Sequence, residues 1–182
     1  MIGVRQPPRD PEMPGTKPKQ RKPLTSEDND LDEAALVLRQ FRQILNTVRV
    51  HFQQVEKKAG IGGGQVWALS VVGERPGIGV SELARAMDVH QSTASNLVKT
   101  LVEKAFIETR REGADRRAVQ LHLRPQGLKV LRRAPGPFAG VLPQALRTLD
   151  GPSVRRLRKD LAKLIAILHA DEKAGQIPLS EM

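Results

Sequence analysis

Residues 79–127, GVSELARAMDVHQSTASNLVKTLVEKAFIETRREGADRRAVQLHLRPQG, constrain the fold more tightly than any other part of this chain. Val80, Leu83, Ala84 and Met87 recur at helical spacing, with Gly79 in the N-cap place and Glu82 three residues on. Asp88-Val89 then reads as a tight turn, since Asp enters left-handed conformations more readily than most residues. A second apolar stripe follows at Ala94, Leu97, Val98 and Leu101. Beyond it, residues 106–110 and 117–123 read as two strands, with Val119, Leu121 and Leu123 inward and Gln120 and His122 outward. Arg111-Glu112-Gly113-Ala114-Asp115-Arg116 forms the tip between the strands of a basic hairpin. Two short helices at a turn, followed by a hairpin, are the expected unit.

The second helix has a short, polar and mostly uncharged outer face: Gln91, Ser92, Ser95, Asn96 and Lys99. Side chains of this kind hydrogen-bond base edges, and helix-turn-helix proteins place such a helix in the major groove of duplex DNA. Charge points the same way. The 182-residue chain carries a net charge of +10, and residues 90–133 hold ten Lys/Arg against four Asp/Glu. A basic surface concentrated on one segment suits a polyanion partner.

Composition removes several alternatives. With no cysteine, neither disulfides nor zinc-finger ligation nor thiol redox sensing is available. Aromatic residues are 3% of the chain, with one Trp and no Tyr, too few for a stacking-based reader of single strands. His51, His90, His122 and His169 lack metal-ligand spacing, and no nucleophile elbow or phosphate loop is present. Neither an enzyme nor a bound cofactor or metal is expected. No run approaches the ~18 apolar residues of a membrane span, and the first residues lack the apolar core of a signal peptide. A cytoplasmic protein without a membrane partner is the expectation.

The segment resembles the MarR family of winged helix-turn-helix regulators. Asp115-Arg116-Arg117 between the two strand patterns is similar to the family's D-R-R wing, and Leu123-Arg124-Pro125-Gln126-Gly127 to its L-T-x-x-G helix start. Arg124 replaces the usual capping Thr, and Asp88 stands where many members have Gly. The resemblance implies a mainly α fold with a small β wing, a winged helix-turn-helix core plus terminal helices that form a two-fold dimer. It implies that Asp115 pairs with an arginine to stiffen the wing while Arg117 enters the minor groove, where narrowing favours Arg. The candidate DNA-binding residues are thus Gln91, Ser92, Thr93, Ser95, Asn96, Lys99, Arg110, Asp115, Arg116 and Arg117. Of these, Gln91, Ser92, Ser95 and Asn96 are assigned to bases, and Thr93 and Lys99 to phosphates. Capping of the helix start is an alternative use for Ser92 and Thr93, and His90 is placed at or near the cap.

The rest of the chain supports this plan. Residues 1–28 read as a disordered tail, Pro-rich and carrying Arg5, Arg9, Lys17, Lys19, Arg21 and Lys22. Apolar residues at 31, 34, 38, 41, 45, 48, 52 and 55 predict a helix of about 26 residues within a dimerisation element at 29–58. Gly60-Ile61-Gly62-Gly63-Gly64 reads as a helix stop and flexible joint, and Gln65 opens a short helix burying Val66, Leu69 and Val72. The winged domain spans 62–128. Residues 129–172 carry C-terminal dimerisation helices, broken near Pro135, Pro137 and Pro143 and restarted at Asp150-Gly151-Pro152. Val154, Leu157, Leu161, Leu164 and Leu168 form the last seam, and 173–182 read as a flexible end. The two terminal seams suit a homodimer.

A sequence-specific regulator that binds a pseudo-palindromic operator, a repressor in the first instance, is therefore expected. The resemblance also allows a small-molecule effector, in a crevice lined by Trp67, Arg49, His51 and residues around Phe138; no ligand-binding residue is assigned from the sequence. Two alternatives stay open: a sequence-tolerant architectural DNA-binding protein, and a winged-helix adaptor whose second helix meets a protein.

Overall fold

A long N-terminal helix leads into a winged core, and three further helices follow it. The computed structural model describes residues 26–111 and 119–181. Helix α1 (Ser26–Ala59) starts before the first residue of the apolar seam, Leu31. Residues 26–28, expected in the tail, belong to α1, and the rest of that expectation, residues 1–25, lies outside the described residues. The chain divides into two units after Leu38. In the first, Leu36, Val37 and Leu38 are exposed. In the second, Val48 and Val55 of the α1 seam are buried whereas Ile44 and Leu45 remain exposed. The helix stops at Gly60, whose φ of +76° carries the left-handed turn that an L side chain resists.

Helix α2 (Gly63–Glu74) is the centre of the core. Val66, Ala68, Leu69, Ser70, Val71 and Val72 are all buried, so it is covered on more than the single face that periodicity predicts. A helix apolar all round belongs inside a fold, and α2 packs against the helix-turn-helix, the wing and the helix after it. Ser70 is its one buried polar side chain among the described residues, and its hydroxyl donates to the Trp67 carbonyl at 2.7 Å. The glycine cluster is no simple flexible joint. Gly63 and Gly64 are buried within the first turn of α2, and a Cβ on Gly63 would collide with the Phe52 ring and lie 2.9 Å from Ser180 Cβ.

Helices α3 (Val80–Ala86) and α4 (Gln91–Glu103) pack on each other as a pair joined by the turn at residues 87–90. The hairpin is β1 (Ile107–Arg110) against antiparallel β2 (Gln120–Leu123), with Ile107 opposite Leu123 and Arg110 opposite Gln120. Ile78 adds a third short partner: Leu121 N–H donates to the Ile78 carbonyl, and Gly77 N–H to that of Leu121. Leu121 is completely buried and Leu123 packs against the core, as the alternation predicts.

Helix α5 (Pro125–Arg133) starts at Arg124, which supplies no side-chain cap. Pro125 fits the first turn because the missing N–H has no intrahelical partner there. Gly127 permits close approach: a Cβ would collide with the Phe106 carbonyl oxygen and lie 2.8 Å from Leu123 Cδ1. The chain breaks between residues 134 and 140, then continues as α6 (Val141–Thr148) and α7 (Gly151–Ile167). Pro143 sits in the first turn of α6, so it starts that helix rather than kinking it.

The C-terminal end departs from the expectation of flexibility. Residues Glu172–Gln176 and Leu179–Glu181 form 3-10 turns, Pro178 is buried, and the last turn packs on α2. The Gly63-Gly64 surface explains the difference, because two missing side chains leave a seat that the tail fills.

Candidate nucleic-acid interface

The arrangement of α3 and α4 is set by backbone geometry. Gly79 N–H donates to Glu82 Oε2 at 3.0 Å, fixing the start of α3. At its end, Asp88 takes a φ of +52° and Val89 N–H bonds the Ala84 carbonyl, which turns the chain sharply. His90 is the N-cap of α4 in extended conformation, without a side-chain cap. The first backbone N–H groups of a helix lack intrahelical partners, so this start presents donors and the positive end of a dipole.

Ala94, Leu97, Val98 and Leu101 bury one side of α4 against the core. Gln91, Ser92, Ser95, Asn96 and Lys99 are exposed on the other, and Thr93 is half-buried between them. Ser95 Oγ donates to the Gln91 carbonyl at 2.8 Å, leaving its oxygen as an acceptor. Thr100 Oγ1 similarly donates to the Asn96 carbonyl. Lys104 Nζ bonds Gln65 Oε1 at 3.2 Å, tying the end of α4 to α2. Thus a polar ridge stands on a helix whose opposite face is locked.

At the wing base, Glu108 gathers two arginines. Arg110 bonds it through Nε at 2.7 Å and Nη2 at 2.6 Å, and Arg124 Nε stands 3.7 Å away. The Arg110 side-chain hydrogen bond holds the Glu108 carboxyl below its ordinary range, ahead of the opposing desolvation and the charges of Arg110, Arg124 and His122. Arg110 is exposed beside the wing as the sequence suggested, but a carboxylate already engages it. Sequence reading missed Glu108, although its two-residue spacing from Arg110 on a strand places both on one face. Asp115, Arg116 and Arg117 lie outside the described residues.

The expected effector crevice divides in two. Trp67 and Phe138 line a cavity of roughly 310 Å³ with Ser70, Glu74, Arg75 and Arg147. Arg49 instead lines a separate cavity of roughly 320 Å³ with Phe52 and Ser180, and His51 Nε2 donates to the Pro137 carbonyl at 3.1 Å. The proline-rich break after α5 places Pro137 and Phe138 on the same cavity as Trp67. Among the described residues, no cluster of His, Asp and Glu could hold a metal ion, and no helix is long and apolar enough to cross a membrane.

A packed helix pair, an exposed second helix and an antiparallel wing define a winged helix-turn-helix protein. The MarR family model matches residues 59–118, which run from the end of α1 into the wing. An HTH-type transcriptional regulator, BilQ of Clostridium symbiosum, is 31% identical over 108 residues, covering 59% of this chain and 75% of that protein. The chain belongs to the MarR family of transcription regulators. A putative transcriptional regulatory protein for the hcr operon of Thauera aromatica is 34% identical over 93 residues, or 51% of this chain; the match spans about half (52%) of that relative's length. Among solved structures, the S. aureus MepR–DNA complex shares the fold at a TM-score of 0.50 and 21% identity, covering 70% of this chain and 93% of the other.

Proposed function

We propose that this chain is a sequence-specific transcriptional regulator that binds a pseudo-palindromic operator in double-stranded DNA as a homodimer and acts as a repressor. The observation that carries the reading is the α4 surface: Gln91, Ser92, Ser95, Asn96 and Lys99 exposed together on a helix otherwise locked into the core. Asn and Gln bond adenine through two hydrogen bonds, and each good pair discriminates by about 1–3 kcal/mol. Lys99 and Thr93 would hold phosphates, which fix register without reading sequence. Arg117 is assigned to the minor groove, Asp115 to stiffening the loop, and Arg116 to the same DNA-facing set. The DNA bound by MepR in its complex supports the class of partner.

The dimer is supported by α7, which buries none of its residues in a single chain while exposing Leu157, Leu164, Ile165 and Ile167. Apolar surface of this extent calls for a partner helix, and a second copy supplies one by symmetry. Two recognition helices roughly 34 Å apart would then meet successive major grooves. A cytoplasmic location follows from that partner.

Selection of bound duplexes from a random pool tests the reading. Enrichment of one half-site repeated about a helical turn apart is expected. Equal affinity for random and selected duplexes would leave a sequence-tolerant binder, and no duplex binding at moderate salt would favour a protein-binding adaptor. The salt slope would count phosphate contacts in either DNA-binding case.

An aromatic anion is the effector best suited to the Trp67–Phe138 cavity, where two rings lie beside Arg75 and Arg147. Benzoate titrated against the fluorescence of the single Trp should give a saturable change that weakens duplex binding. A linear response would remove this part of the proposal.

A further inference from the structure

The C-terminal segment 171–181 occupies a position that periodicity does not reveal. Its end rests on the start of α2: a Cβ added to Gly64 would lie 3.0 Å from Glu181 Oε1, 3.2 Å from Ser180 Oγ and 3.7 Å from Leu97 Cδ2 of α4. Pro178 is buried, and the Ser180 hydroxyl is enclosed without a hydrogen-bond partner among the described residues. From this seat the preceding turn runs beside the recognition helix. Asp171, Lys173, Ala174 and Ile177 line one cavity with His90 and Ser92, at the N-terminal end of α4. The segment contains Asp171, Glu172 and Glu181 against Lys173, so it is acidic in a chain that is basic overall.

We propose that segment 171–181 is an intramolecular strap that competes with duplex DNA for the start of α4. This rests on the reading of α4 as the DNA-facing helix. The residues at the N-terminal end of a recognition helix are those that enter the groove, and a phosphate backbone runs alongside them. A strap beside His90 and Ser92 takes up that space, so the phosphate backbone and the strap cannot both occupy it. The docked state is only moderately held, since the enclosed Ser180 hydroxyl lacks a partner among the described residues and Ile177 stays 48% exposed. A seat of this kind opens readily, and it lowers apparent DNA affinity by the fraction of open molecules. A strap closed in about nine molecules of ten would weaken binding about tenfold.

Two full-length variants evict the strap from opposite sides. Gly64→Val places methyl groups in its seat, on a helix position where the added side chain meets the tail and only ordinary contact with Leu97. Ser180→Glu puts a carboxylate into an enclosed position beside Glu181 and leaves the reading head untouched. Hydrogen exchange of residues 177–181 reports docking, and binding to a duplex selected from the random pool reports function. Both variants are expected to lose protection in the tail and to bind DNA about five- to tenfold more tightly than the parent. Tail release with unchanged or weaker DNA binding overturns the strap alone, as does a parent tail that is already unprotected. No duplex binding by the parent or either variant overturns the DNA reading, and the strap's role with it.

Discussion

Ala105 illustrates how a single residue can carry backbone strain for the sake of direction. It has a φ of +56° at the end of α4, where Phe106 N–H closes back on the Leu101 carbonyl and the chain turns into β1. Glycine normally fills that place, and a side chain there is unfavourable. Ala105→Gly should therefore stabilise the protein by about 0.5–1 kcal/mol, read from denaturant unfolding, and a loss of stability would show that relief of the left-handed turn is smaller than the added freedom of the unfolded chain. Asn96 makes the complementary case for function. Asn96→Ala leaves the buried side of α4 intact, so folding should be unchanged while preference at one position per half-site falls by about 1–3 kcal/mol. Retained preference at every position after duplex selection would remove Asn96 from the reading set. Only one of the two roles is legible in the sequence: the polar phase of Asn96 follows from helical spacing, whereas nothing local marks Ala105 as left-handed.

At the level of elements, capping and packing decide where each helix begins. Asp150 accepts from the Ser153 hydroxyl at 2.7 Å and from its backbone N–H at 2.8 Å, which holds the carboxyl below its ordinary range, the side-chain bond contributing most. A depressed folded-state pKa means the cap's contribution is complete above the unfolded Asp value of about 3.9 and is lost as pH falls through the lower folded value. The start of α7 should thus stay intact down to about pH 5 and fray in stronger acid. Asp150→Asn, which still accepts hydrogen bonds, should remove this acid dependence when amide exchange near Val154 is followed against pH. An unchanged acid profile would show that other groups control the end of α7. The Asp150-Gly151-Pro152 start is legible because its chemistry is local. The start of α2 is not: Gly63 and Gly64 read as a breaker until Phe52 and Ser180 are seen to occupy the space their side chains would need.

For the whole molecule, the unsatisfied feature is apolar surface on the terminal helices. α7 stands with Leu157 at 39% and Leu164 at 37% exposure, values unsuited to a free amphipathic helix but suited to a shared seam. Replacing both with Glu should yield a monomer by sedimentation equilibrium while the winged core keeps its thermal transition. Duplex affinity should fall by about 10²-fold or more, because two linked heads gain an effective concentration that one head lacks. A dimer that survives the double substitution would place the interface elsewhere.

How much could be read without coordinates follows the range of the forces involved. The helical stripes of α3 and α4, the turn at Asp88, the alternation of β2 and the break after α5 all depend on neighbours a few positions apart, so residue spacing was enough to lay out a winged fold and its polar ridge. Contacts between distant parts of the chain carry no such period. The full burial of α2, the partnership of Glu108 with Arg124, the meeting of Trp67 with Phe138 and the seating of Ser180 on Gly64 arise only when helices pack, because close packing selects partners by shape rather than by position in the chain.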